Sequence, residues 1–296
     1  GGPLRVRPGS APAVNGIATR SVREQLLAEL RARAFTPRAA GPPRVGVELE
    51  LIPVDEATGR RRPLDGPAPA TLSWLRPLAA RRGWTERATP KGAPCFQLGR
   101  NGAISFEPGG QIEISTRPWG SASVLLARLR AVTSALRAAA ARHGVALLAS
   151  GVDPFNRLED APLVVRSARY LRMDRYLAVR GPAGPRMMRQ TAAFQVNLDL
   201  GERPLERWRV LNRLAPWVIA VFANSPRYAG TATGERSYRA GLWRTLDPAR
   251  TGWFLTPDAD ERAYLDFALT APFLFREDTG GRSLPFADWL ERGDVG

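Results

Sequence analysis

Three residue types that build common catalytic centres are nearly missing from this chain. Among its 296 residues there is one cysteine, Cys95, and one histidine, His143. A lone cysteine excludes an internal disulfide and suggests a reducing, cytoplasmic setting. A lone histidine argues against a histidine-based zinc site and against a Ser-His-Asp triad. Lysine is almost absent too, because Lys91 is the single lysine among 43 basic residues. Long apolar runs are also lacking. The longest, about ten residues around 217–223, is too short for a bilayer span. The N-terminus carries no basic-then-apolar signal pattern, so no membrane partner is expected. A glycine-rich P-loop is missing as well.

What the chain has in excess is positive charge, +15 at pH 7. Such a charge alone suggests nucleic acid or an anionic surface. The arginines are not in blocks, however. They are scattered along helical stretches, as at Arg128, Arg130, Arg137 and Arg142. That distribution fits a GC-rich coding bias, so nucleic-acid binding is not expected. Local capture of phosphates or carboxylates is a better use of the excess. With 44% hydrophobic residues, the chain can bury a sizeable core.

Periodicity divides the chain into strands and helices. Residues 1–16 are rich in Gly, Pro and Ala and read as a disordered leader. Residues 21–35 read as a helix capped by Ser21, and 45–52 alternate as a strand. A short helix is expected over 72–82, ended by Gly83. Strands over 95–98 and 103–106 flank Asn101-Gly102, a tight-turn signal. A strand over 111–115, a long helix over 122–143 and a strand over 145–151 follow. Helices are expected over 166–177 and 204–222, the second kinked at Pro216, with a strand over 190–200 between them. From Glu235 the tail alternates between loops and short helices. The class is α+β, a mainly antiparallel sheet flanked by long helices.

Three of these strands share a pattern. Alternation puts Glu48 and Glu50 on one face of the first and apolar residues on the other. Gln111 and Glu113 share a face in the second, with Glu107 just before its turn. Gln195, Asn197 and Asp199 share a face in the third. Alternation alone reads as the solvent side of a half-buried sheet. Two features favour a functional reading. Long helices flank the strands, and several like charges on one face repel unless a cation sits among them. Oxygen ligands without histidine or cysteine select Mg²⁺ or Mn²⁺, and magnesium that keeps part of its shell for phosphate suggests a nucleotide. Two arginine-bearing stretches accompany this face. One is Met187-Met188-Arg189-Gln190-Thr191. The other contains Ser237-Tyr238-Arg239, Trp243, Asp247, Arg250 and Gly252.

These segments resemble, in order, the plant-type glutamate–cysteine ligases, a group with bacterial members. Gly46-Val47-Glu48-Leu49-Glu50 looks like the family's first metal strand. Its most distinctive motif is similar to Glu107-Pro108-Gly109-Gly110-Gln111-Ile112-Glu113. Arg169-Tyr170 with Met173 and Tyr176, then Met188-Arg189, Gln195-Val196-Asn197, Ser237-Tyr238-Arg239 and Arg250-x-Gly252, match further blocks. The resemblance covers about residues 45–290. It implies a glutamine-synthetase-like fold with a carboxylate-lined sheet face, ATP as co-substrate, Mg²⁺ (or Mn²⁺), glutamate and an amine such as cysteine. Glu48, Glu50, Glu107 and Glu113 would then ligate metal. Gln195 and Asn197 would face the metal and nucleotide. Arg189 and Arg239 would be catalytic and, with Tyr238, Trp243 and Arg250, would bind substrate. The expected organisation is a leader and N-terminal helix over 1–43 and a ligase catalytic domain over 44–296. Family members run on past the Trp289 region, which leaves a C-terminal truncation open. A ligase with another acceptor amine and a nucleotide-binding, non-catalytic homologue both stay open as alternatives.

Overall fold

The computed structural model describes residues 13–38, 41, 43–67, 69–252, 258–274, 276–278 and 281–293. The chain starts with helix α1 (Ala13–Ala34), strand β1 (Val45–Asp55) and helix α2 (Thr71–Arg82). Strands β2 (Thr85–Arg87), β3 (Cys95–Gln97), β4 (Ala103–Phe106) and β5 (Ile112–Ser115) come next. They lead into α3 (Ala122–Ala141), β6 (Val145–Leu148), α4 (Ala168–Ala178), α5 (Ala183–Gln190) and β7 (Phe194–Leu198). The remainder is α6 (Pro204–Val221), the hairpin β8 (Arg227–Tyr228) and β9 (Thr231–Ala232), α7 (Tyr238–Leu246), α8 (Pro248–Thr251), α9 (Glu261–Thr270) and α10 (Phe286–Glu291).

The expected α+β class holds, and every strand pairing in the main sheet is antiparallel. The order is β2-β3-β4-β5-β1-β6, with β7 also paired to β1. β1 is the hub. Its first half pairs with β5 and β7, and its second half pairs with β6. Over β1, β3, β4 and β5 one face of the sheet is apolar and buried. Phe96, Ile104, Phe106, Ile112, Ile114 and Leu51 pack there with α2 and α3 in the main core. α3 presents Leu125, Leu129, Val132, Leu136 and Ala139 at helical spacing, all buried. Each such side chain contributes about 1.5–3 kcal/mol on burial, so this face alone can hold the sheet and leave the other free for chemistry. A smaller core joins α1, α9 and α10 through Leu27, Leu265, Leu269 and Leu290.

The elements depart from the sequence expectation at some boundaries and hold at others. The first helix begins at Ala13, so Ser21 is an interior residue and not the cap, and the expected leader lies outside the described residues up to residue 12. The tight turn expected at Asn101-Gly102 is present, and Gly99–Asn101 form a short 3-10 turn within it. The strand expected over 190–200 is shortened to β7, because the preceding residues form α5 despite Gly184 and Pro185. Packing explains that helix. A Cβ on Gly184 would lie 2.3 Å from the Cβ of Leu177, so glycine lets α4 and α5 approach closely. Finally, the expected helix over 204–222 is present as α6 and runs through Pro216.

Candidate active site

Register builds the site. Glu50 of β1 lies opposite Glu113 of β5, which lies opposite Ser105 of β4. Glu48 is flanked by Ser115 of β5 and Gln195 of β7, and Gly46 lies opposite Asn197. Directly paired residues of an antiparallel sheet have Cβ atoms about 4.5–5.5 Å apart, so one face carries a continuous row of acids, amides and hydroxyls. Glu113 accepts hydrogen bonds from the hydroxyls of Ser105 (3.2 Å) and Ser115. Glu48 accepts one from the Asn197 amide at 3.2 Å. The Ala193 N–H donates to the Glu50 carboxylate at 3.0 Å.

Glu107 joins this row from the turn between β4 and β5. Burial, the charge of Glu113 and a hydrogen bond with it push the Glu107 carboxyl up to about 8. Burial likewise pushes Glu50 up to about 7, with the charges of Glu113 and Glu48 adding to it. Glu50 and Glu107, raised by burial and by the acids around them, describe a site short of positive charge. Two cations approach it. Arg239 of α7 interacts with Glu50, and burial lowers its own pKa. Its guanidinium lies 5.5 Å from the Trp243 ring centroid, and its Nε is buried with no hydrogen-bond partner. Lys91 interacts with Glu107 and donates to the Tyr170 hydroxyl at 3.4 Å. The charge of Glu107, after burial, raises Tyr170.

Hard carboxylate oxygens in a charge-deficient, half-buried row fit a magnesium-like ion. Among the described residues, however, no three acidic, histidine or cysteine side chains already stand as a ligand group. The carboxylates are near enough to perturb one another without converging.

The turn bearing Glu107 is fixed from beneath. Gln111, expected to share the face of Glu113, is instead buried. It accepts from the Gly109 N–H (2.9 Å) and donates to the Thr191 carbonyl (2.8 Å). The buried Arg61 guanidinium pairs with Asp153 at 3.5 Å and donates to the carbonyls of Gly109 and Arg189.

The expected substrate residues do not all meet. Arg239 and Trp243 line a cavity of about 490 Å³ together with Glu50 and Gln195. Arg189 is turned away from it. It binds Asp174 of α4 and lines a separate cavity of about 970 Å³ with Arg157, Arg166 and Arg186. Tyr238 accepts a hydrogen bond from Arg186 at 2.7 Å, on that side of α7. Arg250 is engaged in packing: it pairs with Asp247 at 3.1 Å, stacks on Tyr176 at 5.2 Å and donates to the Pro272 carbonyl. Lys91 is the neighbour of the acidic row that motif reading passed over. Its signal was its uniqueness in an arginine-dominated chain.

Comparison with known proteins adds a family context. The family model described as glutamate-cysteine ligase family 2 matches residues 44–294. The chain is 34% identical over 278 residues to the glutamate–cysteine ligase EgtA of Mycolicibacterium smegmatis, covering 90% of this chain and 60% of that protein. A glutamate–cysteine ligase EgtA of Mycobacterium tuberculosis is 34% identical over 264 residues, covering 84% of this chain and 55% of its own length. The chloroplastic glutamate–cysteine ligase of Arabidopsis thaliana is 34% identical over 178 residues, covering 58% of this chain and 34% of the plant protein. The chain thus spans less than two thirds of the length of these relatives.

Proposed function

The chain belongs to glutamate-cysteine ligase family 2, and from that premise we propose that its acidic sheet face serves an ATP- and magnesium-dependent ligation of glutamate to an amine, with L-cysteine as the acceptor. The observation that carries this reading is the packing of Glu50, Glu107 and Glu113 on one face beside Arg239, with the carboxyls of Glu50 and Glu107 raised by burial and by their acidic neighbours.

In the proposed reaction the γ-carboxylate of glutamate attacks the γ-phosphorus of ATP, releasing ADP and forming γ-glutamyl phosphate. The amine of the acceptor then attacks the acyl carbon and expels phosphate, giving the γ-glutamyl amide. No protein nucleophile is required, which suits a chain with one cysteine and one histidine. Catalysis on this scheme is positioning and charge neutralisation. Glu48, Glu50, Glu107 and Glu113 would hold magnesium, or manganese in its place. The ion would supply neutralisation of the triphosphate. Gln195 and Asn197 sit on the adjoining strand, within reach of the nucleotide side of the row. Arg239 supports charge developing on a substrate oxygen, since its buried Nε has a donor to spare. Trp243 stacks against that guanidinium and fixes its direction. Arg189, held by Asp174, reaches substrate only by leaving that pair.

The glutamine-synthetase-like architecture belongs to the same reading, as does a catalytic domain spanning 44–296 preceded by a leader and helix. A cytoplasmic setting is also part of it. Among the described residues no helix is long and apolar enough to cross a membrane.

ADP release tests the proposal. With glutamate and cysteine present, release should depend on Mg²⁺ and exceed that seen with other acceptor amines. Glu113→Gln should lower it at least a hundredfold while leaving the far-UV circular dichroism unchanged. Turnover close to wild type in Glu113→Gln would sink the metal assignment, and equal rates with unrelated amines would sink the choice of cysteine.

A further inference from the structure

Among the described residues, seventeen large apolar side chains are exposed, and eleven of them lie on β7 or on α6 with its cap. β7 is exposed at every position, with Phe194 and Val196 each 54% open. These residues sit on the face that α2 and α3 cover elsewhere, since Val196 lies opposite Val47 and Phe194 opposite Leu49. The helical layer stops short of β7. Its outer edge pairs with no strand among the described residues. α6 is equally bare. Of its 18 residues only Pro204 is buried. Its first half is anchored, because Trp208 packs edge-on against Phe35 and Tyr264 with ring centroids about 6 Å away. Its second half carries Trp217 at 71% exposure and Phe222 at 73%. An unpaired, apolar strand edge beside an apolar helix face is an interaction surface, because monomeric proteins rarely leave such patches open.

We propose that the outer edge of β7 and the second half of α6 form a docking surface for a polypeptide segment homologous to the part of the curated relatives that this chain does not span. That segment adds a strand beside β7 and an apolar face against Trp217 and Phe222. Two observations choose this occupant. The relatives carry additional polypeptide, since the chain spans 60% and 55% of the two mycobacterial proteins. A second copy would bring another +15 of charge against the first, which disfavours a symmetric pair.

The surface is continuous with the site. Gln195 and Asn197 alternate along β7 with the exposed Phe194, Val196 and Leu198. Val196, Val218 and Phe222 also line the cavity that holds Glu50 and Arg239. The docked segment therefore closes that cavity and excludes water from it, which strengthens every charge interaction inside.

The inference rests on family membership and not on the proposed reaction, and its test reads structure instead of turnover. The chain is produced alone and joined to the segment of Mycolicibacterium smegmatis EgtA outside the matched region. Hydrogen exchange is then followed at β7 and α6. Joining should slow exchange of the outward β7 amides and of residues 214–221 at least about tenfold. Trp217→Glu in the joined chain should reverse the effect on α6 while leaving the protection of α3 unchanged. Unaltered exchange at β7 and α6 after joining would overturn the proposal. So would light scattering that finds the chain alone as a dimer with β7 already protected, because the occupant would then be a second copy.

Discussion

At Glu107, burial and the charge of Glu113 act in the same direction, and both favour the neutral acid. The carboxyl rises from 4.5 to about 8. A raised acid stabilises the fold most where both states keep the proton, below pH 4.5. Between pH 4.5 and about 8 the unfolded chain releases its proton while the folded chain holds it, so stability falls as pH rises. Glu107→Gln removes that titration. In chelator-treated protein the variant should gain about 1–3 kcal/mol over wild type between pH 5 and pH 8. Urea unfolding at the two pH values measures it, and parallel curves for the two proteins would refute the assignment. Arg61 poses the opposite problem, a cation buried under the same turn with Asp153 as its counter-charge. Arg61→Ala would strand Asp153 and should cost about 3–5 kcal/mol, read as a drop in melting temperature.

Among the elements, the turn between β4 and β5 is tightly constrained. A Cβ on Gly109 would lie 2.2 Å from the Arg189 carbonyl, which is backbone at the end of α5 and cannot swing aside. Gly109→Ala should therefore cost about 2 kcal/mol and displace Glu107 with the turn. Expected together are a lower melting temperature and weaker Mg²⁺ dependence of ADP release. An unshifted melt would show that α5 moves more freely than its packing implies. The sequence made this strand pair and the acidic strands legible because period-two alternation is a local signal. Glu48, Glu50 and Glu113 could be assigned to faces from it alone. Gln111 could not, because its burial depends on α5 arriving above it. α5 itself was hidden by Gly184 and Pro185, and β2 by its brevity, three exposed residues with no alternation to follow. The arginines were hardest to read. Their spacing marks segments, but the side of a helix on which Arg189 or Arg239 emerges is decided by tertiary packing.

In the whole molecule the acidic face is a store of unfavourable charge that a bound cation would relieve. Magnesium with ATP should stabilise the chain by about 2.7 kcal/mol at a hundredfold excess over the dissociation constant, visible as a rise in melting temperature. A chelator should abolish the rise, and ATP that shifts the melt equally without metal would argue for a site elsewhere. The division of labour between the two sheet faces was legible at this scale, since apolar and acidic residues alternate within single strands. The bare flank of β7 was not, because an exposed strand and a covered one have the same sequence pattern.

The position of β1 as hub also sets a clock. All three strands that pair with it come later in the chain, and Glu48 meets Gln195 only across about 150 residues. At 5–20 residues per second, a ribosome needs about 8–30 seconds to make that stretch. Through that interval the strand bearing two of the acids has emerged without its β7 partner, an open edge during synthesis. Its own glutamates make a wrong pairing costly, because a stray strand laid beside them would bury their charge.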